Sequence, residues 1–207
     1  MNTRNLLLIG ATYSGKSTLA NVLSETNNFK ERESVKEAAE AENFQRKEFE
    51  WRGMKHCVVD TIGMKTMPAK DKIARLLPEG ISRFLFVVDE ALAPEEIKEA
   101  LEDFKIFKKS FFKSDISKYT TIVRTKFSNF KDEKSCKEDQ KKLCRKINKI
   151  SEMKIVHVDN PPINIIVIDN VDRERIEDSK KKREKSRKIL LDHLDDVCKK
   201  NKIYKVK

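Results

Sequence analysis

Cysteine and histidine are scarce in this 207-residue chain, and neither type is clustered. Cys57, Cys136, Cys144 and Cys198 form no C-x-x-C pair, so neither a disulfide framework nor a zinc site organises the fold. His56, His157 and His193 are equally scattered. Long apolar runs are missing too. The longest, Phe84–Val88, has five residues, against the roughly 20 that a membrane-spanning helix needs. The first ten residues lack the charged-then-apolar layout of a secretory leader. No internal repeat is present. These absences lead us to expect a soluble protein of a reducing compartment, the cytoplasm.

Charge, by contrast, is abundant. Apolar and charged residues each make up 38% of the chain, and 45 Lys+Arg against 34 Asp+Glu give a net charge of +11. The length fits one domain, or one domain with a helical tail. From Val171 onward there are 14 basic and 8 acidic residues, so this tail carries +6 of the total. A basic surface suits acidic partners, whether nucleotide, RNA or anionic membrane. A merely solvated helix face is the simpler reading of "DSKKKREKSRK".

Short apolar runs at Leu6–Ile9, Cys57–Val59, Phe84–Val88, Thr121–Val123 and Lys154–Val158 read as buried strands. Helix-period segments lie among them. One starts at Pro94, suited to a first helical turn, and puts Ile97, Leu101, Phe104 and Phe111 on one face. A second aligns Cys136, Leu143, Ile147 and Ile150, and a third Leu190, Leu194 and Val197. This alternation predicts an α/β fold around a mostly parallel sheet. Arg52-Gly53 predicts a tight turn joining two antiparallel strands, one of them at the sheet edge. Ser24 to Asn43 reads as a long loop.

Gly10-Ala-Thr-Tyr-Ser-Gly15-Lys16-Ser17 matches G-x-x-x-x-G-K-[ST] in full, after a strand and before a helix. The spacing has a mechanism. Glycines let the backbone wrap its N–H groups around a phosphate, and the following helix adds the positive end of its dipole. Lys16 supplies charge to the β/γ oxygens, and the Ser17 hydroxyl ligates Mg²⁺. Further on, "CVVDTIG" ends an apolar run in Asp60, followed by Gly63. An acid there can hold Mg²⁺ through water, and a glycine N–H can approach the γ-phosphate. This pairing favours a GTPase-like switch over a small-molecule kinase.

Over roughly residues 4 to 198 the chain resembles the AIG1/GIMAP family of septin-related GTPases. "LLLIGATYSGKSTLANVL" is similar to that family's phosphate loop, and "VVDTIGM" to its D-T-P-G element. "SRFLFVVDEALAPEEIKEALEDFK" resembles the box that follows. "IVRTKF" resembles a base-reading T-[RK]-x-[DE], and "VHVDN" the late strand that borders the base. The resemblance implies a three-layer Ras-like G domain over residues 1–170, with a basic helical extension over 171–207. It implies GTP or GDP with Mg²⁺ as ligands, slow intrinsic hydrolysis, and association through G domains or with membranes. Gly10, Tyr13, Ser14, Gly15, Lys16, Ser17, Thr18, Thr125, Lys126 and Asn160 are the implied nucleotide-binding residues. Lys16, Asp60 and Gly63 are the implied catalytic ones, and Ser17, Asp60 (via water) and Ser34 the candidate metal ligands.

The chain departs from the family pattern at several points. Ser128 stands where a carboxylate would accept two hydrogen bonds from guanine, and a hydroxyl accepts less well. Met64 follows Gly63, and a thioether cannot position a water. Lys36 stands where a switch threonine is expected. No arginine appears in Glu90-Ala91-Leu92-Ala93. Lys126 packs along a base or is an exposed loop lysine. Asn160 and Asn170 compete for the base-bordering position, with spacing in favour of Asn160. These departures keep a second function open: a pseudo-GTPase interaction module with relaxed base specificity. The "INIIVI" stretch either packs on the domain or forms a partner surface.

Overall fold

The computed structural model describes residues 3–29, 44–61, 70–92, 94–111, 116–146, 153–198 and 203–204. In chain order these form β1 (Arg4–Gly10), α1 (Lys16–Ser24), β2 (Phe44–Trp51), β3 (Met54–Thr61), α2 (Lys70–Leu76), β4 (Arg83–Asp89), α3 (Pro94–Phe111), β5 (Thr120–Thr125), α4 (Glu133–Lys146), β6 (Lys154–His157) and α5 (Asn170–Cys198). The strands make one six-stranded sheet in the order β2-β3-β1-β4-β5-β6. Only β2 runs antiparallel, at the edge, as the Arg52-Gly53 turn predicts. Both turn residues have positive φ, 48° and 74°, as a two-residue hairpin turn that matches strand twist requires.

Strand residues alternate between two apolar layers. Leu7, Ile9, Phe84, Phe86 and Val88 pack with Ile73 of α2, Ile97, Leu101 and Phe104 of α3, and Leu143 of α4. Leu6, Leu8, Leu85, Val87 and Val123 face the other way, against Leu19 and Leu23 of α1 and Leu190, Leu191 and Leu194 of α5. The result is a helix–sheet–helix sandwich. Each fully buried Leu, Ile or Phe contributes roughly 1.5–3 kcal/mol, so strands buried on both faces hold the sheet without alternating polarity. Of the faces expected from the sequence, Phe111's side chain, Ile147 and Ile150 lie outside the described residues.

α5 is longer than its apolar period suggests. It begins at Asn170, so the charge run Asp178–Lys188 lies inside it. Most of that run is exposed, while Ser179, Arg183, Ser186 and Arg187 face inward. Arg187 donates from Nε to the Leu23 carbonyl at 3.0 Å and stacks 5.0 Å from the Trp51 ring. The "INIIVI" stretch has no regular structure and does not pack as a unit on the domain: Ile166 and Ile168 are 84% and 87% exposed.

Candidate functional site

Every parallel strand points its C-terminal end at the same edge of the sheet, the edge where open α/β sheets bind ligands. Gly10 closes β1 there. Its φ is +153°, and a Cβ at this position would lie 2.4 Å from the Val87 carbonyl oxygen. Any other residue would push β1 away from β4. The loop then turns through Tyr13, exposed and left-handed at φ 64°. Gly15, at φ 88°, opens α1. Positive φ at a non-glycine residue is uncommon and marks a backbone held by its surroundings.

The Ser14 carbonyl accepts a hydrogen bond from the Thr125 hydroxyl at 2.7 Å. This contact joins the phosphate loop to the end of β5, 111 residues away. The buried Ser14 Oγ has no hydrogen-bond partner among the described residues. Lys16 begins α1, is 5% exposed, and donates from Nζ to the Ala11 carbonyl at 2.6 Å, folding back over the loop. Ser17 Oγ donates to Asp60 Oδ2 at 2.6 Å. Thr18 follows on the first turn, half-buried. Thr61 fixes the end of β3 by donating from Oγ1 to the Leu8 carbonyl at 2.9 Å.

The base side lies across the loop from this cluster. Lys126 is left-handed at φ 58° and pairs with Asp89, Nζ to Oδ2, at 2.5 Å. Neither sequence reading of Lys126 included this partner. Phe127 N–H donates to the Val158 carbonyl at 3.1 Å, bringing the β5 loop against the chain after β6. Asn160 sits there with both side-chain amide atoms enclosed and unpartnered among the described residues. Leaving such groups unsatisfied costs about 1–3 kcal/mol, so the position suits a polar ligand edge. Asn170 instead opens α5, exposed to solvent. Ser128 is exposed beside Lys126.

Gly10, Tyr13, Ser14, Gly15, Lys16, Ser17, Thr18, Asp60, Thr125, Lys126 and Asn160 therefore share one edge of the sheet. Gly63, Met64, Ser34 and Lys36 lie outside the described residues. Among the described residues no group of three or more His, Cys, Asp and Glu forms a metal cluster. One hydroxyl beside one carboxylate is the hard-oxygen pair that suits Mg²⁺, which keeps waters and phosphate oxygens as its other ligands.

Four residues of this region were not singled out from the sequence. Asp89 ends an apolar run with an acid, as Asp60 does, and that signal was available. Arg124 stands inside a buried strand, where a charge must have partners. Its Nε and Nη2 donate to Asp139 of α4, each at 3.1 Å, and its Nη1 to the Asp89 carbonyl at 2.8 Å. His157 Nε2 lies 2.8 Å from the same Asp139 carboxylate. Burial opposes the charge on Asp139, but hydrogen bonds from His157 and Arg124 hold its carboxyl below the usual carboxylate range.

Comparison with known proteins agrees with this geometry. Toc33 from Arabidopsis thaliana, in a dimerization-deficient form, is 18% identical over 98% of this chain and 87% of that one, with a TM-score of 0.60. A structure of the chloroplast translocon components atToc33 and psToc159, whose dimerization is described as important for their GTPase activity, is 20% identical over 78% and 71%, with a TM-score of 0.55. A bacterial selenocysteine-specific elongation factor, EF-Sec, is 21% identical over 90% of this chain, with a TM-score of 0.50, and this chain spans 29% of its length. At these identities the likeness is one of fold. No curated protein sequence matches. The AIG1 family model matches residues 4–206, and the chain therefore belongs to the AIG1 family.

Proposed function

We propose that this protein is a guanine-nucleotide-binding switch that takes GTP or GDP with Mg²⁺ and hydrolyses GTP slowly when alone. The observation that carries the reading is the meeting of Ser17 and Asp60 at 2.6 Å, 43 residues apart in sequence, at the foot of a complete phosphate loop. Ser17 would hold Mg²⁺ directly and Asp60 through water. The ion supplies charge neutralisation at the phosphate oxygens. The chain's own residues do the rest. Backbone N–H groups from Tyr13 to Thr18 line the loop, and the α1 dipole favours the anion. Lys16 exchanges the Ala11 carbonyl for phosphate oxygens. Lys126, steered by Asp89, and Asn160 border the base.

Slow turnover follows from Met64, which cannot orient a water. Relaxed base selection follows from Ser128: a lost charge-assisted pair is worth on the order of 1.5–3 kcal/mol. We read residues 1–170 as the G domain core and 171–207 as its helical extension, in a cytoplasmic protein. The dimerization described for the translocon components supports a homodimer through the G domain as the route to faster hydrolysis. The exposed lysines between Lys180 and Lys188 are the surface through which RNA or anionic lipid would act, with a steep salt dependence. Titration of GTP, GDP and ATP with Mg²⁺ tests the reading: GTP and GDP binding no better than ATP would remove guanine specificity.

Met64 and Ser128, together with Lys36, favour a second reading, a non-hydrolysing interaction module. Single-turnover assays separate the two. A measurable rate that Asp60→Ala abolishes supports the switch, and no rate above background supports the module.

A further inference from the structure

The base side of the site rests on a buried charge network that no phosphate or base contact requires. Arg124 is 3% exposed and His157 7%. Asp139 accepts from both, and its side chain is 14% exposed. The network spans four elements. Arg124 belongs to β5, and through Nη1 it grips the carbonyl of Asp89 at the end of β4. His157 ends β6, and Asp139 comes from α4. A second set of bonds runs through the backbone above it. Glu90 N–H donates to the Thr125 carbonyl at 3.0 Å, and Val158 N–H to the Arg124 carbonyl at 2.9 Å. The Phe127 ring lies 4.6 Å from the His157 ring.

Residues 125–127 therefore sit directly on the network, bounded by groups that it fixes. Asp89, whose carbonyl Arg124 holds, is also the residue that pairs with Lys126. The left-handed backbone at Lys126, φ 58°, is a conformation that its surroundings must impose. A planar guanidinium held by two parallel bonds to one carboxylate is the arrangement that best fixes orientation as well as distance. A buried network of this kind is specific only when fully satisfied, and losing one member leaves charged groups unpaired.

We propose that Asp139 is a positioning residue for the nucleobase side of the site, acting through Arg124 and His157 to hold Lys126 and Asp89 in base-receiving geometry. The inference rests on the nucleotide-binding reading above, and it separates the two halves of the site. The phosphate loop owes its shape to Gly10, Gly15 and the α1 terminus, none of which shares a described hydrogen bond with Asp139, and the Thr125 hydroxyl that meets the Ser14 carbonyl is held on β5 by its parallel ladder to β4. Weakening the network should cost affinity for the base-bearing ligand while sparing the grip on bare phosphates.

The test compares Mg²⁺-GTP with Mg²⁺-tripolyphosphate, which carries no base, on the full chain. Wild type should bind GTP at least tenfold more tightly. Asp139→Asn should lose about tenfold in GTP affinity, mainly through faster dissociation, and change tripolyphosphate affinity less than twofold. His157→Leu should lose GTP affinity in the same selective way. His157→Gln, whose amide can donate to Asp139, should recover most of it, and this pair decides the matter if Asp139→Asn does not fold. Equal losses for both ligands, or no loss for either, would overturn the positioning role while leaving the nucleotide reading standing. A wild-type protein that binds GTP no better than tripolyphosphate would overturn the nucleotide reading and this inference with it.

Discussion

The two halves of the site are built to different standards. On the phosphate side the motif is unbroken, and each part is fixed by an identifiable contact. Gly10 is required by the Val87 carbonyl, Lys16 is buried at a helix start, and Ser17 already meets Asp60. On the base side Ser128 stands in place of the expected acid, Lys126 is taken up by Asp89, and the Asn160 amide has no hydrogen-bond partner among the described residues. Phosphate binding needs a backbone shape that a short segment can encode. Base reading needs side chains from three strand ends held in register, and it changes when one of them is replaced.

The strongest way to break the comparison is Lys16→Ala. Removing the only lysine of the loop should lower GTP and GDP affinity by about 100-fold, roughly 2.7 kcal/mol, read by titration. Binding unchanged would remove the phosphate-loop assignment. Gly10→Ala forces a Cβ against the Val87 carbonyl, so it should lose affinity by tens of fold and lower the melting temperature as well. Thr125→Val cuts the bond to the Ser14 carbonyl that joins the halves. A loss of about tenfold follows from a buried hydrogen bond worth about 1.5 kcal/mol. Ser128→Asp sharpens the comparison from the other direction, since restoring the carboxylate should raise the GTP-over-ATP preference by five- to tenfold. If the ratio does not move, the base lies elsewhere.

The smallest effect on binding is expected from His193, at the opposite edge of the sheet, and it serves as a control. The Thr121 hydroxyl accepts from Arg83 Nε at 3.0 Å and lies 3.0 Å from His193 Nε2. Burial, reinforced by the Arg83 charge, lowers this histidine to about 4. Its folded value is thus below its ordinary 6.5, and the folded state binds fewer protons in between. The stability it contributes is complete above about pH 6.5 and is lost as pH falls toward 4, on the order of 2–3 kcal/mol. His193→Gln should flatten that part of the pH–stability curve, measured by urea melts, without altering GTP affinity at pH 7.5.

Much of this was legible in the sequence because it is local. Apolar runs buried on both faces announced the strands, and Arg52-Gly53 announced the edge hairpin. The phosphate loop carries its own mechanism in eight residues. Spacing favours Asn160 over Asn170 as the base-bordering residue, and of the two it is Asn160 that follows the strand end bonded to the β5 loop. The misses are long-range. Nothing near Arg124 shows that Asp139 and His157, 15 and 18 residues from their partners, close on one another. The start of α5 at Asn170 lies one residue before the helical extension that the family resemblance implies, although its first turns face solvent and carry no apolar period.

The central claim is that a complete phosphate grip is joined to an altered base reader. Its most direct test is the affinity of the wild-type chain for GTP and ATP, each with Mg²⁺, measured side by side with Lys16→Ala. The account predicts that both nucleotides bind, that GTP is preferred by a modest factor of about ten, and that Lys16→Ala loses both together. A wild-type chain that binds neither nucleotide, or a Lys16→Ala variant that binds both as well as wild type, would contradict it.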